Sequence, residues 1–409
     1  MPQIRRRPML AGLAAALAAP GIASAQASEI RFGALFPFSG GLALLGDESF
    51  RGLEVAAEER NEAGGVLGRP IRLAKGDAVD QAQAASEVRR LMTADRVAAV
   101  FGTYASPLSL AATQVSELQG VPYFEMGAIS DPITERGFRY VFRSCPRSSD
   151  FGAATVAAIP DALAPIYALD PTVLRIAILF EDALYGQTVS GFQEQQLRTR
   201  GLTMVEKLGY AARSVDMASA IQRLRGANAD IVLHTGNQND IVLFFRGMQE
   251  ARWKPRMVIG SGAGYSLTDT ARAVGPAFNG VMNVDFTQFA VNERYAPGVS
   301  AFVELYKRRY GSEPRSGHSL ANYFGARVFL DAVQRAGATD KDRIRAAVLA
   351  TDIADGTTAT GWGARFDERG QNTRAKPFLL QWQDGQQVTV FPQEAAVAQP
   401  RGRMGDPAG

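Results

Sequence analysis

Val97-Ala98-Ala99-Val100-Phe101-Gly102-Thr103-Tyr104-Ala105-Ser106-Pro107 is the stretch whose reading decides the fold. Val97 to Phe101 is a short, unbroken apolar run, the signature of a strand buried on both faces. Gly102 ends it. Ser106 and Pro107 then form a helix start, with serine as N-cap and proline at the first helical position. The spacing predicts a helix over Pro107 to Leu118. A buried strand that feeds a helix through so short a turn is the building unit of a parallel sheet covered by helices.

The same unit repeats on both sides. Upstream, Ile30 to Phe36 reads as a buried strand, and Asp47 to Glu62 as a helix with Phe50, Leu53 and Ala57 on one face. Gly64-Gly65 stops that helix, Ile71 and Leu73 belong to a second strand, and Asp80 to Ala94 is helical. Downstream, Val121 to Phe124 is a strand, followed by a second strand-to-helix junction, Glu125-Met126-Gly127-Ala128-Ile129-Ser130-Asp131-Pro132. The pattern then restarts. Leu174 to Phe180, Asp230 to His234 and Met257 to Ile259 read as strands, with helices over Gln187 to Arg200 and Asp240 to Ala251. The sequence therefore predicts two αβ sets, split near Arg143 to Ala153. After Asn283 come a long helical stretch, Ser316 to Ala336, and late strand material at Phe378 to Trp382. From Gln393 onward the chain is Ala, Pro, Gly and charge without periodicity, and is expected to be disordered.

The N-terminus has a different character. Arg5, Arg6 and Arg7 precede an apolar run from Met9 to Ala19, and an A-x-A pattern ends at Ala25, with a second at Ala27. This is the layout of a cleavable export signal over residues 1–25, and the arginines are compatible with a twin-arginine route. The run falls short of the ~20 apolar residues that a bilayer span requires. The mature chain is expected to begin at Gln26 or Ser28 and to be soluble outside the cytoplasm. The formal net charge of the whole chain is +3, and the leader holds three arginines and no acid, so the mature protein is near neutrality. With no basic run to grip phosphates, nucleic acid is not an expected partner. One cysteine, Cys145, excludes an intrachain disulfide, so an exported chain must draw its stability from its core.

Catalytic signatures are absent from the sequence. His234 and His318 stand alone, and no C-x-x-C or H-E-x-x-H pattern would build a zinc site. There is no phosphate-binding G-x-x-x-x-G-K-[ST] loop and no G-x-S-x-G elbow. Gly260-Ser261-Gly262-Ala263-Gly264 follows a strand, but lacks the spacing and the downstream acid of a dinucleotide loop. No enzyme activity, metal or cofactor is expected. In open parallel sheets ligands bind beyond the carboxyl ends of strands. The two junctions at Tyr104-Ala105-Ser106 and Gly127-Ala128-Ile129 place two helix starts side by side there. Their N–H groups and dipoles suit a carboxylate, with the Ser106 hydroxyl as a further donor or simply as a cap.

These residues also carry a resemblance. Phe36-Pro37-Phe38-Ser39-Gly40, Gly46-Asp47-Glu48, Asn61-Glu62-Ala63-Gly64-Gly65-Val66-Leu67-Gly68, Thr134-Glu135-Arg136-Gly137, Tyr185-Gly186, Phe366-Asp367-Glu368-Arg369-Gly370 and Leu380-Gln381-Trp382 follow one another over most of the chain. In that order they resemble the leucine/isoleucine/valine-binding protein family, the type I periplasmic substrate-binding proteins of ABC importers. The resemblance implies a non-enzymatic receptor of two Rossmann-like lobes with parallel sheets, joined by a three-crossing hinge. Lobe one would comprise residues 28–147 and about 283–355, and lobe two residues 148–282 and about 356–392. It further implies a monomer in the periplasm that delivers a small ligand to ABC permease subunits in the inner membrane. A ligand-sensing receptor or regulator of the same fold is the alternative.

By the same resemblance the ligand carboxylate falls to Ser106, Gly127 and Ile129, with Ala128 in the same turn. Ile129 stands where the family has a second hydroxyl, and Gly262 where its amino-acid binders have a glutamate for the ligand ammonium. Tyr185 matches a ligand-lining aromatic, Asn237 replaces another, and Leu45 and Tyr323 fall at further lining positions. Glu125 is either a substitute partner for an ammonium or a strand-end carboxylate satisfied by backbone donors. With Gly262 offering no charge, the expectation is a carboxylate-bearing ligand, whether amino acid, amide or aromatic acid, with no requirement for an α-ammonium.

Overall fold

The computed structural model describes residues 28–405 apart from residue 213, so the expected export signal lies outside the described residues. Five strands form the first sheet: β1 (Ile30–Phe36), β2 (Ile71–Asp77), β3 (Val100–Gly102), β4 (Tyr123–Glu125) and β5 (Val141–Arg143). Their order is β2-β1-β3-β4-β5, and every pairing is parallel. The register sets Phe101 beside Phe124 and Phe124 beside Phe142. Their rings meet at 5.1 and 6.0 Å, and Phe329, on the helix His318–Ala336, stacks on Phe124 at 4.3 Å. A helix some 200 residues away in sequence, on the order of a whole domain, thus closes the face of the first sheet.

The second sheet begins with β6 (Ile176–Glu181), β7 (Met204–Tyr210), β8 (Ile231–Thr235), β9 (Met257–Gly260) and β10 (Met282–Asp285). A two-residue pair follows, β11 (Asp352–Ile353) and β12 (Ala364–Arg365), which stands apart. The hairpin β13 (Phe378–Gln383) and β14 (Gln386–Phe391) then joins the second sheet, in the order β14-β13-β10-β9-β8-β6-β7. β6 to β10 pair in parallel, whereas β13 is antiparallel to both of its neighbours. Both lobes are therefore α/β with parallel sheets, as the repeating strand-helix units imply. Among the described residues, no helix is long and apolar enough to cross a membrane.

The chain passes between the sheets three times: after β5, after β10 and before β13. Hydrogen bonds tie the crossings together. Gln371 donates from Nε2 to the Cys145 carbonyl, and Asn372 from Nδ2 to the Ser144 carbonyl, both at 3.0 Å. Arg143, wholly buried, donates from Nε to Gln371 and from Nη1 to the Ser130 carbonyl at 2.7 Å.

Three expectations need correction. The segment around residues 356–372 does not go with the second sheet. Gln371 pairs with Arg143 of β5, and Phe366 packs on Phe329 at 5.6 Å, so the third crossing falls after Asn372. Asn283 is not a boundary, because β10 continues to Asp285. The tail beyond Gln393 is ordered through residue 405, since Met404 is buried, its carbonyl accepts from Lys254 Nζ at 2.8 Å and Gly405 N–H donates to Asn279. A lone methionine gives no periodicity, yet it can fill a core gap from an irregular segment.

Candidate ligand-binding site

The carboxyl ends of the strands of both sheets face one cavity of about 670 Å³. From the first sheet come Tyr104 and Ser106 after β3, and Gly127 and Ile129 after β4. From the second come Tyr185 after β6, Asn237 after β8, Gly262 after β9 and Asp285 at the end of β10. Seven of the expected residues thus share one space: Ser106, Tyr104, Gly127, Ile129, Tyr185, Asn237 and Gly262.

In the first lobe the wall is built by close backbone approach. Tyr104 adopts φ +83°, and a Cβ at Gly127 would lie 3.1 Å from the Tyr104 Cα, so a larger residue at 127 would push the two loops slightly apart. Ser106 is not the N-cap. That position is Ala105, and Ser106 is already the first residue of the helix Ser106–Gln119, with Pro107 next. Its hydroxyl is therefore not used for capping. It accepts from Ser130 N–H at 3.3 Å, which leaves its own proton available to the cavity. The first internal bond of the helix runs from Ser109 N–H to the Ala105 carbonyl, so the amide ends ahead of it carry the positive pole of the helix.

Glu125 settles into the structural alternative. It is fully buried and does not line the cavity. Its carboxylate accepts from the N–H groups of Thr103, Met126, Gly127 and Ala128 at 2.7, 3.0, 2.9 and 2.8 Å, and from the Ser109 hydroxyl at 2.5 Å. Burial pushes its pKa up and these donors pull it back. The bonds also correct the expected carboxylate cradle: the amides of Gly127 and Ala128 already serve Glu125, and Ala128 does not line the cavity. Ser106 and the turn at Ile129 remain. Leu45 and Tyr323 are likewise displaced from the site. Leu45 is core, and Tyr323 directs its hydroxyl at Glu59, 2.8 Å away, binding two helices together.

In the second lobe Tyr185 donates its hydroxyl to the Ser261 carbonyl, which leaves its ring as a wall. Asn237 N–H meets Asp240 Oδ2 at 2.8 Å, at the start of the helix Gln238–Glu250. Glu181 accepts from Ala183 and Gly186 N–H, both at 2.8 Å, at the start of the helix Leu184–Thr199. Burial raises the pKa of Glu181, and that of Asp240 to about 6. Asp285, not anticipated from the sequence, lines the cavity beside Gly262. Its Oδ1 accepts from Phe286 N–H at 2.7 Å and its Oδ2 from the Ser266 hydroxyl, and burial raises its pKa to about 7. The sequence reading names no strand at Met282–Asp285; a strand there would have put an acid at a strand end and flagged it. An aromatic edge completes the wall: Tyr104 meets His318 at 5.4 Å, His318 meets Phe286 at 5.0 Å, and Phe286 meets Phe151 at 5.8 Å.

Comparison with known proteins agrees with this geometry. The periplasmic binding protein family model matches residues 29–387. A protein of Brucella abortus named Leu/Ile/Val-binding protein homolog 8 is 48% identical, over 92% of this chain and 94% of its own length. Homolog 7 of Brucella suis is 48% identical, over 96% of this chain and 98% of its own. Among solved structures, the substrate-binding protein LivJ of Streptococcus pneumoniae in complex with isoleucine superposes with a TM-score of 0.77 at 21% identity, covering 91% of this chain and all 100% of LivJ. A solute-binding protein from R. palustris in complex with benzoate gives 0.76 at 19%, covering 93% of this chain and 100% of that one. At those identities the structures speak for the fold. The family model and the Brucella relatives establish the rest: this chain belongs to the periplasmic binding protein family.

Proposed function

We propose that the protein is the exported receptor of an ABC importer, which captures a small carboxylate-bearing ligand between its two lobes and hands it to a membrane permease. The observation that carries this reading is the single cavity lined by strand ends of both sheets, with three chain crossings beside it. A ligand touching both walls has more contacts when the walls approach, and that differential affinity is what shifts an open–closed equilibrium. The carboxylate would take the Ser106 hydroxyl and the positive end of its helix, near Ile129, while the rings of Tyr104, Phe151 and Tyr185 enclose the rest. The relatives support the same class of ligand. They are named for, or were solved in complex with, leucine, isoleucine, valine, benzoate and 3,4-dihydroxybenzoic acid, each a carboxylate. Delivery to a permease and entry to the periplasm by the residue 1–25 leader complete the proposal.

The test is to purify the protein from periplasm, identify any co-purified ligand by mass spectrometry, strip it and compare small-angle scattering with and without it. The expected result is a carboxylate ligand and a smaller radius of gyration when it is bound. A bound ligand that leaves the radius unchanged overturns the closing mechanism.

A further inference from the structure

Arg143 is a cation with no acid of its own. It lies wholly buried at the end of β5, and among the described residues no ion pair includes it. Its guanidinium donates only to uncharged acceptors. Nε meets Gln371 Oε1 at 2.6 Å, Nη1 meets the carbonyls of Ala128 and Ser130 at 3.2 and 2.7 Å, and Nη2 meets Thr134 Oγ1 at 3.1 Å. The acids that act on it through space, Asp131 and Glu125, are engaged elsewhere. Glu125 holds the donors described above, and Asp131 accepts from the Ser149 amide and hydroxyl at 3.0 and 2.6 Å. A buried cation left this way costs free energy that an apolar side chain of its size would not.

The two carbonyls that it grips flank Ile129, the cavity residue next to Ser106 in the carboxylate reading. In a planar trans peptide the N–H points opposite to the C=O. Drawing the Ala128 carbonyl onto Arg143 therefore turns the Ile129 N–H away from the guanidinium. Ile129 is buried and lines the cavity, and its N–H donates to no protein acceptor among the described residues. Buried backbone N–H groups are nearly always paired, so an unpaired one in a cavity wall marks a place for an acceptor. The grip is held from behind, because Gln371 Nε2 donates to the carbonyls of Cys145 and Asn372 at 3.0 and 2.9 Å, on two of the crossings. From the other side Ser148 N–H fixes the Ile129 carbonyl at 2.7 Å. A carbonyl bonded to a cation also polarises its peptide unit, which strengthens the attached N–H as a donor.

We infer that Arg143 is a positioning residue for the ligand's carboxylate: it aims and polarises the Ile129 N–H, and it supplies from behind the wall the positive charge that the cavity lining lacks. Arg143 is not itself a lining residue, so it acts through the peptide. Among the described lining residues there is no lysine or arginine, whereas Asp80, Glu181, Asp240 and Asp285 are all present. An anion entering that cavity meets like charge unless a buried cation offsets it. The inference rests on the carboxylate-anchored receptor reading and adds the group that selects the anion.

The experiment is calorimetry at pH 7.5 with leucine, isoleucine, valine, benzoate and 3,4-dihydroxybenzoate, each beside its primary amide. It is run on the ligand-stripped wild type, Arg143→Met, Arg143→Lys and Ser106→Ala, each first shown to unfold cooperatively. The wild type is expected to bind one or more of the acids at least ~100-fold more tightly than the matching amide. Arg143→Met should lose at least ~30-fold for the acid and leave the amide within ~3-fold. Arg143→Lys keeps the charge but not the fork, so it should lose about tenfold for the acid alone. Because Arg143→Met can fail to fold, a second readout uses protein labelled with nitrogen-15 isoleucine, the Ile129 signal being identified by its loss in Ile129→Val. That signal should move downfield when wild type is saturated with the acid, and move less in Arg143→Lys. Equal losses for acid and amide, an unchanged acid affinity in either Arg143 variant, or an Ile129 signal that does not move each overturn the inference. The receptor reading then still stands if the wild type prefers the acid and Ser106→Ala weakens it. A wild type that prefers the amides, or binds nothing on the panel, overturns both.

Discussion

Glu125 and Asp285 occupy the same kind of place in the two lobes. Each is the last residue of a strand, each is buried, and each has its pKa raised by that burial. Their surroundings differ. Glu125 collects five donors within 3.0 Å from three separate stretches, Thr103, Ser109 and Met126 to Ala128, and lies behind the cavity wall. Asp285 has a backbone amide, a hydroxyl and the Asn283 side chain, and lines the cavity. Buried charge costs free energy wherever it sits, so the informative difference is who satisfies it. In the first lobe the protein does so itself, and the carboxylate becomes a clamp between two loops. In the second, fewer donors meet the carboxylate and it stands at the cavity wall.

The comparison breaks most sharply on stability. Glu125→Ala leaves four buried amides and a hydroxyl without their acceptor, and should lower unfolding free energy by about 3–5 kcal/mol, read from the urea midpoint. Asp285→Asn in the ligand-free protein should stay within about 1 kcal/mol of wild type at pH 5, where the Asp285 carboxyl, with a pKa of about 7, is already neutral. Equal losses in the two variants would erase the distinction.

The next test uses pH. The Asp285 pKa is raised from 3.8 to about 7, so the folded state holds a proton that the unfolded state has released. Its contribution is therefore fully present below pH ~4 and is lost as pH rises toward ~7, by up to about 4 kcal/mol at 1.36 kcal/mol per pKa unit. His234 and His318 act in the opposite sense: burial lowers each to about 3, and their contributions are lost as pH falls below ~6.5. The difference between wild type and Asp285→Asn, which share both histidines, isolates the aspartate. Relative to the variant, ligand-free wild type should become less stable from pH 5 to pH 8. A flat difference would mean that Asp285 is not held as a proton-binding group.

The smallest effect sharpens the first lobe. Ser106→Ala removes a hydroxyl that accepts one long bond, so the melting temperature should shift by less than ~2 °C. Affinity for a carboxylate ligand should nevertheless fall about tenfold, measured by calorimetry, for loss of one hydrogen bond to a charged group. A large loss of stability with unchanged affinity would make Ser106 another internal clamp, as Glu125 is.

By itself the sequence determined the class of the molecule. Apolar runs such as Val97 to Phe101 and Leu174 to Phe180, each followed by helical periodicity, report burial of consecutive residues, which is a local property and needs no partner to be read. The Ser106-Pro107 start and the junction at Gly127 also brought the ligand wall of the first lobe into view, because ligand sites at strand ends follow from topology. Roles that depend on convergence were not legible. Nothing near Glu125 in sequence announces the amide of Thr103 or the hydroxyl of Ser109, and β13 joins β10 although residues 286–377 lie between them. The third crossing and the buried Met404 escaped for the same reason: irregular segments are placed by what they touch rather than by any period of their own. Which of two buried carboxylates is already satisfied, and which still faces the cavity, was decided only when the strands were paired, since hydrogen-bond donors are counted in space and not along the chain.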